Sequence, residues 1–290
     1  DPDFPTVRNP NPEEPGAVDA LLALAAEVSA DVAIALDPDA DRCAVGVPTA
    51  GGWRMLTGDE TGWLLGDYIL SQLEPGPVSE AALVASTVVS SRMLAAIAAA
   101  HGAQHVETLT GFKWLARAAP PGTTLVYAYE EAIGHCVDPA AVRDKDGITA
   151  AILACDLVAA LADQGRTVLD ARDDLARVHG VHVTSPVTRH VEDATAAMAR
   201  LRSEPPAGLA GVAVTCQDLL DRSGRQRTDA LIFTGSQDDA GIRVVVRPSG
   251  TEPKLKSYIE VRCAPTDDLG TARHRAQVLA AELVAAAERW

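Results

Sequence analysis

The feature that most constrains the fold of this chain is a run of alternating aspartates between two apolar segments. Asp37, Asp39 and Asp41 lie in the sequence Asp-Pro-Asp-Ala-Asp-Arg, with one apolar run at residues 32–36 before it and a second at residues 43–47 after it. Short apolar runs bounded by turn residues are typical of buried strands, and a proline does not continue a strand ladder. The pattern predicts a tight loop between two buried strands, on which three carboxylates can converge.

Three carboxylates on one tight loop predict a metal site. Like charges held close together repel one another unless a cation lies among them. Mg²⁺ prefers oxygen ligands and keeps positions open for a phosphate, so we expect Asp37, Asp39 and Asp41 to be its ligands. The alternative is an exposed acidic turn without an ion. The buried strands on both sides and the adjoining Arg42 favour the metal site.

Composition and charge narrow the class of protein. The chain has 290 residues, of which 47% are hydrophobic, enough for two or more packed domains. A formal charge of −15 argues against nucleic acid or an anionic membrane as the main partner, and no apolar run is long enough to cross a bilayer. The five cysteines are scattered, without the C-x-x-C spacing of a zinc site. These features predict a cytoplasmic protein with a small-molecule partner.

Hydrophobic periodicity predicts two successive α/β layers and then an α+β module. A linker rich in proline and glycine lies at residues 74–77, and the pattern changes again at about residue 181. We therefore predict three domains, at residues 1–77, 78–180 and 181–290. The chain begins without methionine, and a proline-rich segment runs directly into a helix and a strand, so we expect its first residues to lie inside a domain.

Charged residues follow two predicted strands at one sheet edge. Lys113 opens a helix after a strand near residues 105–109, Glu130 and Glu131 follow a strand at 125–129, and a loop with Lys145 comes next. Ligands of α/β proteins bind at the carboxyl ends of strands, so we expect a site there. The pair at residues 90–91, two serines between a strand and a helix, lacks the G-x-S-x-G spacing of a nucleophile elbow and is interpreted as helix capping.

A third motif lies near the end of the chain. Residues 247–251 read Arg-Pro-Ser-Gly-Thr and separate two predicted strands. Arginine offers a planar fork for a phosphate, serine and threonine offer hydroxyls, and glycine lets backbone N–H groups approach an anion. The alternative is a plain Pro-Ser-Gly turn, which explains every residue except Arg247. The loop is therefore a candidate phosphate site.

In this order, the motifs resemble those of the α-D-phosphohexomutases, the phosphoglucomutase and phosphomannomutase superfamily. Residues 37–42 resemble its magnesium loop, residues 130–135 its sugar-recognition loop and residues 247–256 its phosphate-binding loop. Residues 110–114 and 144–147 are similar to the branch that holds phosphoglucomutase-2-type and phosphopentomutase enzymes. The resemblance implies consecutive α/β phosphohexomutase domains followed by a C-terminal α+β domain.

The resemblance also implies a reaction and a role for each motif. Enzymes of this superfamily interconvert hexose 1-phosphate and hexose 6-phosphate, with a phosphoserine, Mg²⁺ and a sugar 1,6-bisphosphate as intermediate and activator. Either His135 or Lys145 would be the general acid or base, and Arg42 would add positive charge. The residues that would bind the substrate are Lys113, either Glu130 or Glu131, Arg247, Ser249, Gly250 and Thr251.

The sequence lacks the motif that would carry the phosphoserine. No Ser-His-Asn occurs in these 290 residues, so the resemblance implies a nucleophile in an N-terminal domain outside them and an inactive isolated chain. Three hypotheses stay open: a mutase of mannose or glucose phosphates, a phosphopentomutase acting on ribose or deoxyribose phosphates, and a non-catalytic sugar-phosphate binder. A phosphatase of the haloacid dehalogenase type would explain the aspartates but not the loop at Arg247.

Overall fold

The chain folds into two compact units, one of residues 1–172 and one of residues 173–290. The structure is a computed structural model that describes residues 5, 7, 9–250 and 252–290. Its α/β layers followed by an α+β unit confirm the predicted fold class. The three predicted domains, at residues 1–77, 78–180 and 181–290, stay predictions. None of the described helices is both long enough and apolar enough to cross a membrane.

The first unit begins with a helix and a three-stranded antiparallel sheet. In chain order they are α1 (Asp19–Glu27), β1 (Ala33–Leu36), β2 (Cys43–Thr49) and β3 (Gly52–Met55). The strands predicted on either side of the aspartates are β1 and β2, which pair from Ala33 opposite Gly46 to Leu36 opposite Cys43. Leu22 of α1 packs on the backbone of Gly46. The aspartates therefore lie on a loop between two paired strands, as predicted.

Helix α2 (Gly58–Ser71) packs very closely because glycines line one of its faces. Gly58, Gly62 and Gly66 recur every four residues and so share a face. A Cβ on Gly62 would lie 2.3 Å from the ring of Tyr129, and a Cβ on Gly58 would lie 1.8 Å from the carbonyl oxygen of Glu131. The backbone of α2 therefore rests directly on the predicted sugar-recognition segment.

A four-stranded sheet and its helices complete the described part of the first unit. The elements are α3 (Pro77–Glu80), β4 (Ala82–Thr87), α4 (Met93–Ala100), β5 (Gln104–Thr108), α5 (Phe112–Leu115), β6 (Thr124–Glu130), β7 (Gly134–Cys136) and α6 (Gly147–Ala162). In the sheet order β5-β4-β6-β7, β4 runs parallel to β5 and β6, and β7 is antiparallel to β6. The carboxyl ends of β4, β5 and β6 therefore meet at one edge, where α/β proteins bind ligands.

The sequence pattern does not predict one helix of the structure, α7 (Val168–His179). The helix starts with a capping box. A carboxylate oxygen of Asp170 accepts hydrogen bonds from the backbone N–H and the hydroxyl of Thr167. In return, the Thr167 hydroxyl oxygen accepts a hydrogen bond from the backbone N–H of Asp170. Val168 and Leu175 are buried. The Thr-x-x-Asp spacing was the available signal, but the many charged residues between the apolar positions hide the helical period.

The second unit is a five-stranded antiparallel sheet with helices. Its elements are β8 (Val181–His190), α8 (Ala194–Ser203), β9 (Gly208–Leu209), β10 (Val212–Ala213), β11 (Thr215–Asp218), β12 (Leu231–Gln237), β13 (Ala240–Pro248), β14 (Lys254–Cys263) and α9 (Leu269–Ala287). The sheet order is β11-β12-β13-β14-β8, and β9 pairs only with β10 among the described strands. The pattern predicts one strand over residues 209–218, but Ala210 and Gly211 both have positive φ angles, 48° and 77°. Two such residues form a tight hairpin turn, so the chain reverses there.

One face of the sheet of the second unit packs with helices in an apolar core. Val244 and Val246 of β13 are buried in one core with Met198 of α8 and Leu283 of α9. Arg247 directly follows Val246, and successive side chains of a strand point to opposite faces. Arg247 therefore lies on the face of the sheet opposite this core, at the end of the β13–β14 hairpin.

Candidate functional site

The three aspartates between β1 and β2 converge. One carboxylate oxygen from each of Asp37, Asp39 and Asp41 lies within 4.8 Å of the other two. Asp37 is buried, Asp41 is half-buried and Asp39 is exposed, so the group opens to solvent on one side. Ala40, between the last two, has a left-handed φ of 57° that makes the loop tight. Three hard oxygen donors with one open side fit Mg²⁺.

Arg42 holds the buried member of this group. Its backbone N–H donates to Oδ1 of Asp37 over 3.0 Å, and its Nε–H donates to Oδ2 over 2.7 Å. Burial raises the pKa of Asp37, but the hydrogen bonds and charge of Arg42 outweigh it and lower the pKa. The hydrogen bond and charge of Asp37, with the charge of Asp41, raise the pKa of Asp39. A bound cation would remove this repulsion between carboxylates.

Lys145 joins the aspartate loop to the segment that follows β6. Its Nζ lies 3.0 Å from Oδ2 of Asp41 and 5.5 Å from the centre of the Phe112 ring. Burial lowers the pKa of Lys145, but Asp41 and Glu130 outweigh burial and raise it. The side chain therefore carries its positive charge at neutral pH. Asp41, Lys145 and Glu130, which the sequence places in three separate segments, act on one another in the structure.

Gly134 leaves the space that Lys145 and Glu130 occupy. A Cβ at this position would lie 2.5 Å from Cδ of Lys145 and 2.9 Å from Oε1 of Glu130. Burial raises the pKa of Glu130, and the charges of Lys145 and Arg42 offset part of this increase. Any larger residue at position 134 would displace one of the two charged side chains, which explains the glycine in Glu-Glu-Ala-Ile-Gly-His.

The start of α6 also rests on the aspartate loop. The backbone N–H of Gly147 donates to the carbonyl oxygen of Ala40 over 3.1 Å, and a Cβ on Gly147 would lie 2.6 Å from the carbonyl oxygen of Arg42. The carboxylate of Asp146 caps the helix by accepting from two backbone N–H groups of the first turn. The Lys-Asp-Gly sequence thus positions Lys145 through the helix cap that follows it.

Lys113 lies beside this cluster rather than inside it. Its side chain is exposed, with Nζ 5.4 Å from the centre of the Trp114 ring. The preceding residue, Phe112, is buried and provides the ring that Lys145 contacts. The segment predicted to bind substrate therefore adjoins the charged cluster, while the Lys113 ammonium group itself faces solvent.

Two buried hydroxyls that the sequence pattern does not assign to a site contact Glu131. Oγ1 of Thr87 and Oγ of Ser90 lie 3.0 Å and 3.1 Å from Oε2 of Glu131. The predicted capping role belongs to Ser91, whose Oγ accepts from the backbone N–H of Met93 over 3.2 Å. The signal for the other two was their position at the carboxyl end of β4, one of the strands that lead to the predicted site.

His135 lies inside the protein. Its side chain has no exposed surface, and Nδ1 lies 3.1 Å from the hydroxyl of Tyr127. Burial lowers the pKa of His135 to about 3, so the ring is neutral at neutral pH. Within the described part of the chain, its Nε2 has no hydrogen-bond partner. Of the two residues predicted for acid–base chemistry, the structure brings Lys145 to the aspartates and leaves the His135 ring in the core.

The predicted phosphate loop lies in the second unit, between β13 and β14. Arg247 is half-buried, with Nη1 3.4 Å from the hydroxyl of Tyr258. The backbone N–H of Ser249 donates to the carbonyl oxygen of Lys254 over 2.8 Å and closes the loop. Gly250 is exposed, and Thr251 lies outside the described residues. The loop thus presents an arginine and a backbone turn at the end of a hairpin.

Two lysines belong to the segment that resembles the phosphate-binding loop but were not among its predicted substrate contacts. Lys256 lies directly opposite Arg247 in the β13–β14 register, and Lys254 lies two residues before it, so all three side chains are on one face. Nζ of Lys254 is 2.8 Å from a carboxylate oxygen of Glu252. The Lys-Leu-Lys alternation after the loop was the sequence signal. A face with three basic side chains suits a phosphate.

Known proteins with similar sequences are sugar-phosphate mutases by name. The chain is 42% identical over 264 residues to a "Probable phosphomannomutase" of Haemophilus influenzae, which covers 89% of this chain and 52% of that protein. It is 36% identical over 291 residues to a "Probable phosphoribomutase" of Schizosaccharomyces pombe, which covers 92% of this chain and 49% of that protein. The chain therefore spans about half the length of these curated relatives.

The fold and the family models agree with these relatives. The open form of the Paramecium phosphoglucomutase pp63/parafusin has a similar fold, with a TM-score of 0.64 at 21% identity over 93% of this chain and 48% of that one. Three phosphoglucomutase/phosphomannomutase models match in order: alpha/beta/alpha domain II at residues 1–51, alpha/beta/alpha domain III at 57–178 and the C-terminal domain at 235–271. The chain belongs to the α-D-phosphohexomutase superfamily of phosphoglucomutases and phosphomannomutases.

Proposed function

We propose that this chain is part of a Mg²⁺-dependent phosphosugar mutase that interconverts hexose 1-phosphate and hexose 6-phosphate, with glucose or mannose as the sugar. The observation that carries the proposal is the convergence of Asp37, Asp39 and Asp41, with Lys145 beside them. Phosphoryl transfer depends mainly on positioning and on neutralising charge. A cation site next to a protonated lysine is suited to that task.

The residues present fit the proposed metal. Magnesium takes oxygen ligands and is commonly held by one or two carboxylates, with further positions left for water and substrate phosphate. The ionised Asp37 and the open side of the aspartate group meet these needs. Bound Mg²⁺ would withdraw charge from the transferring phosphoryl group. Arg42 keeps the Asp37 carboxylate in place for this role.

The remaining charged residues of the first unit would bind and orient the substrate. Lys145 is protonated and lies beside the metal ligand Asp41, so it is placed to donate a proton or a hydrogen bond to a sugar or phosphate oxygen. Arg42 and Lys113 add positive charge to the same unit. His135 would act on the substrate only after leaving the core, and we assign the acid–base role to Lys145.

The second unit would bind the phosphate that does not react. Arg247 offers two parallel N–H donors, and Ser249, Gly250 and Thr251 offer hydroxyl and backbone donors. Lys256 lies on the same face and adds a second charge. Whichever end of the sugar is held here by its phosphate, the other end is left to react. The sugar could therefore bind in two orientations, as a mutase requires.

The phosphoserine that hands over its phosphoryl group is proposed to lie in an N-terminal domain of the same protein, outside these residues. The sugar 1,6-bisphosphate would be the intermediate and the activator, and the isolated chain would bind phosphosugars without turning them over. A cytoplasmic location remains part of this proposal, with a phosphosugar rather than nucleic acid or a membrane as the partner.

A second candidate function is a phosphopentomutase that acts on ribose or deoxyribose phosphates. The observation that favours it is the 36% identity to the relative named as a probable phosphoribomutase. The metal and phosphate chemistry would be unchanged, and the residues that contact the sugar would decide between the two.

A mutase assay of the complete reading frame tests both functions. The assay contains Mg²⁺ and a sugar bisphosphate, offers glucose, mannose and ribose 1-phosphates side by side, and uses the 290-residue chain as a control. A clear preference for a hexose supports the first function, and a preference for ribose supports the second. Turnover of none of them would overturn the mutase proposal and leave the non-catalytic sugar-phosphate binder as the better account.

A further inference from the structure

The outer face of helix α9 is exposed and apolar at its centre. The opposite side of α9 packs in the core of the second unit through Ala280 and Leu283. On the outer side Val278 is 46% exposed, and its exposed neighbours Ala281 and Ala285 are small. Residues three and four positions apart lie on one side of a helix. We call this side the α9 face, and its exposed residues are Thr271, His274, Val278, Ala281, Glu282, Ala285 and Arg289.

A groove adjoins the α9 face beside Val278. It lies between α9, the β9–β10 turn and the β12–β13 turn, and it has a volume of about 400 Å³. Val212 of β10 and Val278 of α9 are among the residues that line it. Arg275 ties the β12–β13 turn to α9 by ion pairs with Asp238 and Asp239, which fixes one wall. The groove therefore gives apolar side chains of another molecule room beside the α9 face.

Acidic and basic side chains lie on opposite sides of Val278 in matched positions. His274 lies four residues before Val278, about one turn, and Glu282 lies four residues after it. Further out, Asp267 lies eleven residues before Val278 and Arg289 lies eleven residues after it. All four side chains are exposed, and none of them has a hydrogen-bond or ion-pair partner among the residues that the structure describes. Each acidic group therefore has a nitrogen-bearing counterpart at the same distance on the other side of Val278.

This order makes the α9 face complementary to itself. In a two-fold symmetric dimer, the same surface of both copies forms the contact. When two α9 helices pack antiparallel about an axis at Val278, residues equally far before and after Val278 face each other. His274 of each copy then faces Glu282 of the other, and Asp267 faces Arg289. Two chains with a charge of −15 repel each other overall, so a contact between copies needs local charge complementarity of this kind.

We propose that the α9 face binds a second copy of this protein, in an antiparallel two-fold contact centred on Val278. The small side chains of Ala281 and Ala285 let the two helices approach closely. A contact built around one helix is at the small end of protein interfaces, so association is weak and depends on protein concentration. None of its residues is assigned to the metal or the phosphosugar, so dimerisation and mutase activity can be tested separately.

Sedimentation velocity of the complete protein tests the contact. Between about 1 μM and about 1 mM, the range of weak interfaces, the wild type should pass from monomer to dimer. Val278→Asp should remove the dimer over the whole range, because it places two carboxylates against each other at the axis. Hydrogen exchange of the wild type should be slower in α9 at the high concentration than at the low one, which locates the contact.

A charge exchange across the axis separates this contact from a general effect on the helix. Glu282→Lys and His274→Glu should each weaken dimerisation about tenfold or more, because each change acts twice in a symmetric contact. The double variant His274→Glu/Glu282→Lys pairs a glutamate with a lysine again and should return to within about threefold of the wild type. Glu204→Lys, at an exposed glutamate that ends α8, is the matched control and should leave the dissociation constant unchanged.

Three results would overturn the proposed contact. The first is a monomer at every concentration. The second is a dimer whose dissociation constant is the same in Val278→Asp, Glu282→Lys and the wild type, because that dimer forms through another surface. The third is a double variant that dimerises no better than the weaker of its two single variants. A dimer that each single change weakens and the double change restores would establish the α9 face as the interface.

Discussion

The ammonium group of Lys145 lies 3.0 Å from a carboxylate oxygen of Asp41, one of the three converging aspartates. The lysine therefore competes for a carboxylate that we assign to the metal. In the free chain this ion pair balances part of the negative charge of the loop. Binding of a cation would have to weaken it, which would release Lys145 towards the substrate.

Lys145→Met should therefore strengthen Mg²⁺ binding to the 290-residue chain while it lowers turnover by the complete protein. Removal of a partly exposed ion pair changes the free energy by up to about 1 kcal/mol, so we expect about fivefold tighter Mg²⁺ binding by calorimetry. Arg117→Met removes an exposed positive charge whose side chain contacts the Lys113 carbonyl instead and should leave the affinity unchanged. Weaker Mg²⁺ binding in Lys145→Met would show that the lysine does not oppose the metal.

Asp39→Asn should abolish detectable Mg²⁺ binding to the isolated chain. Asp39 is the exposed member of the aspartate group, so the change removes a charged ligand and leaves the hydrogen bonds between Arg42 and the buried Asp37 in place. Asp138→Asn changes an exposed aspartate of another loop and is the control. Calorimetry at neutral pH gives both affinities. An unchanged affinity of Asp39→Asn would contradict the metal assignment.

Gly62→Ala should destabilise the first unit. The added Cβ would lie 2.3 Å from the ring of Tyr129, which is fully buried and donates a hydrogen bond to Asp59. Overpacking of this kind costs about 1–3 kcal/mol, and unfolding in urea would measure it. Gly51→Ala adds a methyl group where no atom lies within 4 Å, so its free energy of unfolding should equal that of the wild type. Equal stability of both variants would mean that α2 can move away from the strand.

His135 should make the first unit sensitive to acid. Its pKa in the folded protein is about 3, against an ordinary value of 6.5. Below pH 6.5 the unfolded chain binds a proton that the folded chain excludes, so stability falls as the pH falls from 6.5 towards 3. Over part of this range, from pH 6.5 to about pH 5, the wild type should lose about 1–2 kcal/mol more than His135→Gln.

The comparison with His135→Gln is needed because two carboxyls act in the opposite direction. Burial raises the pKa values of Glu130 and Glu131, so their protonation favours the folded state as the pH falls towards their ordinary value of 4.5. Both glutamates are present in wild type and variant, and their effect cancels in the difference. Identical pH profiles of the two proteins would show that folding does not lower the pKa of His135.

Arg247→Ala in the complete protein should raise KM for the phosphosugar about tenfold to a hundredfold with little change in kcat. The loss of a charge-assisted bond to a phosphate that does not react removes binding from ground state and transition state alike. Steady-state kinetics measure both constants. Arg225→Ala, at an exposed turn of the same unit, is the control. An unchanged KM for Arg247→Ala would move the phosphate site elsewhere.

Much of the first unit could be predicted because local patterns agree with the fold. The apolar runs on either side of Asp37 and Asp41 form the paired strands β1 and β2, and the three carboxylates converge as expected. The helix α7 could not be recognised by its period, and the hairpin at Ala210 could not be recognised because alanine rarely adopts a positive φ. Patterns report the average preference of residue types, and these two segments depart from it.

The sequence by itself determined which residue types are present to bind a metal and a phosphate, since charge, loop chemistry and strand period are local properties of the chain. Only the tertiary structure decided how they are used. It places the His135 ring in the core, gives Glu130 to Lys145, and gives Glu131 to the hydroxyls of Thr87 and Ser90. The physical reason is that burial and hydrogen-bond partners depend on contacts between residues far apart in the chain. Two glutamates that are adjacent in the sequence can therefore have different partners in the folded protein.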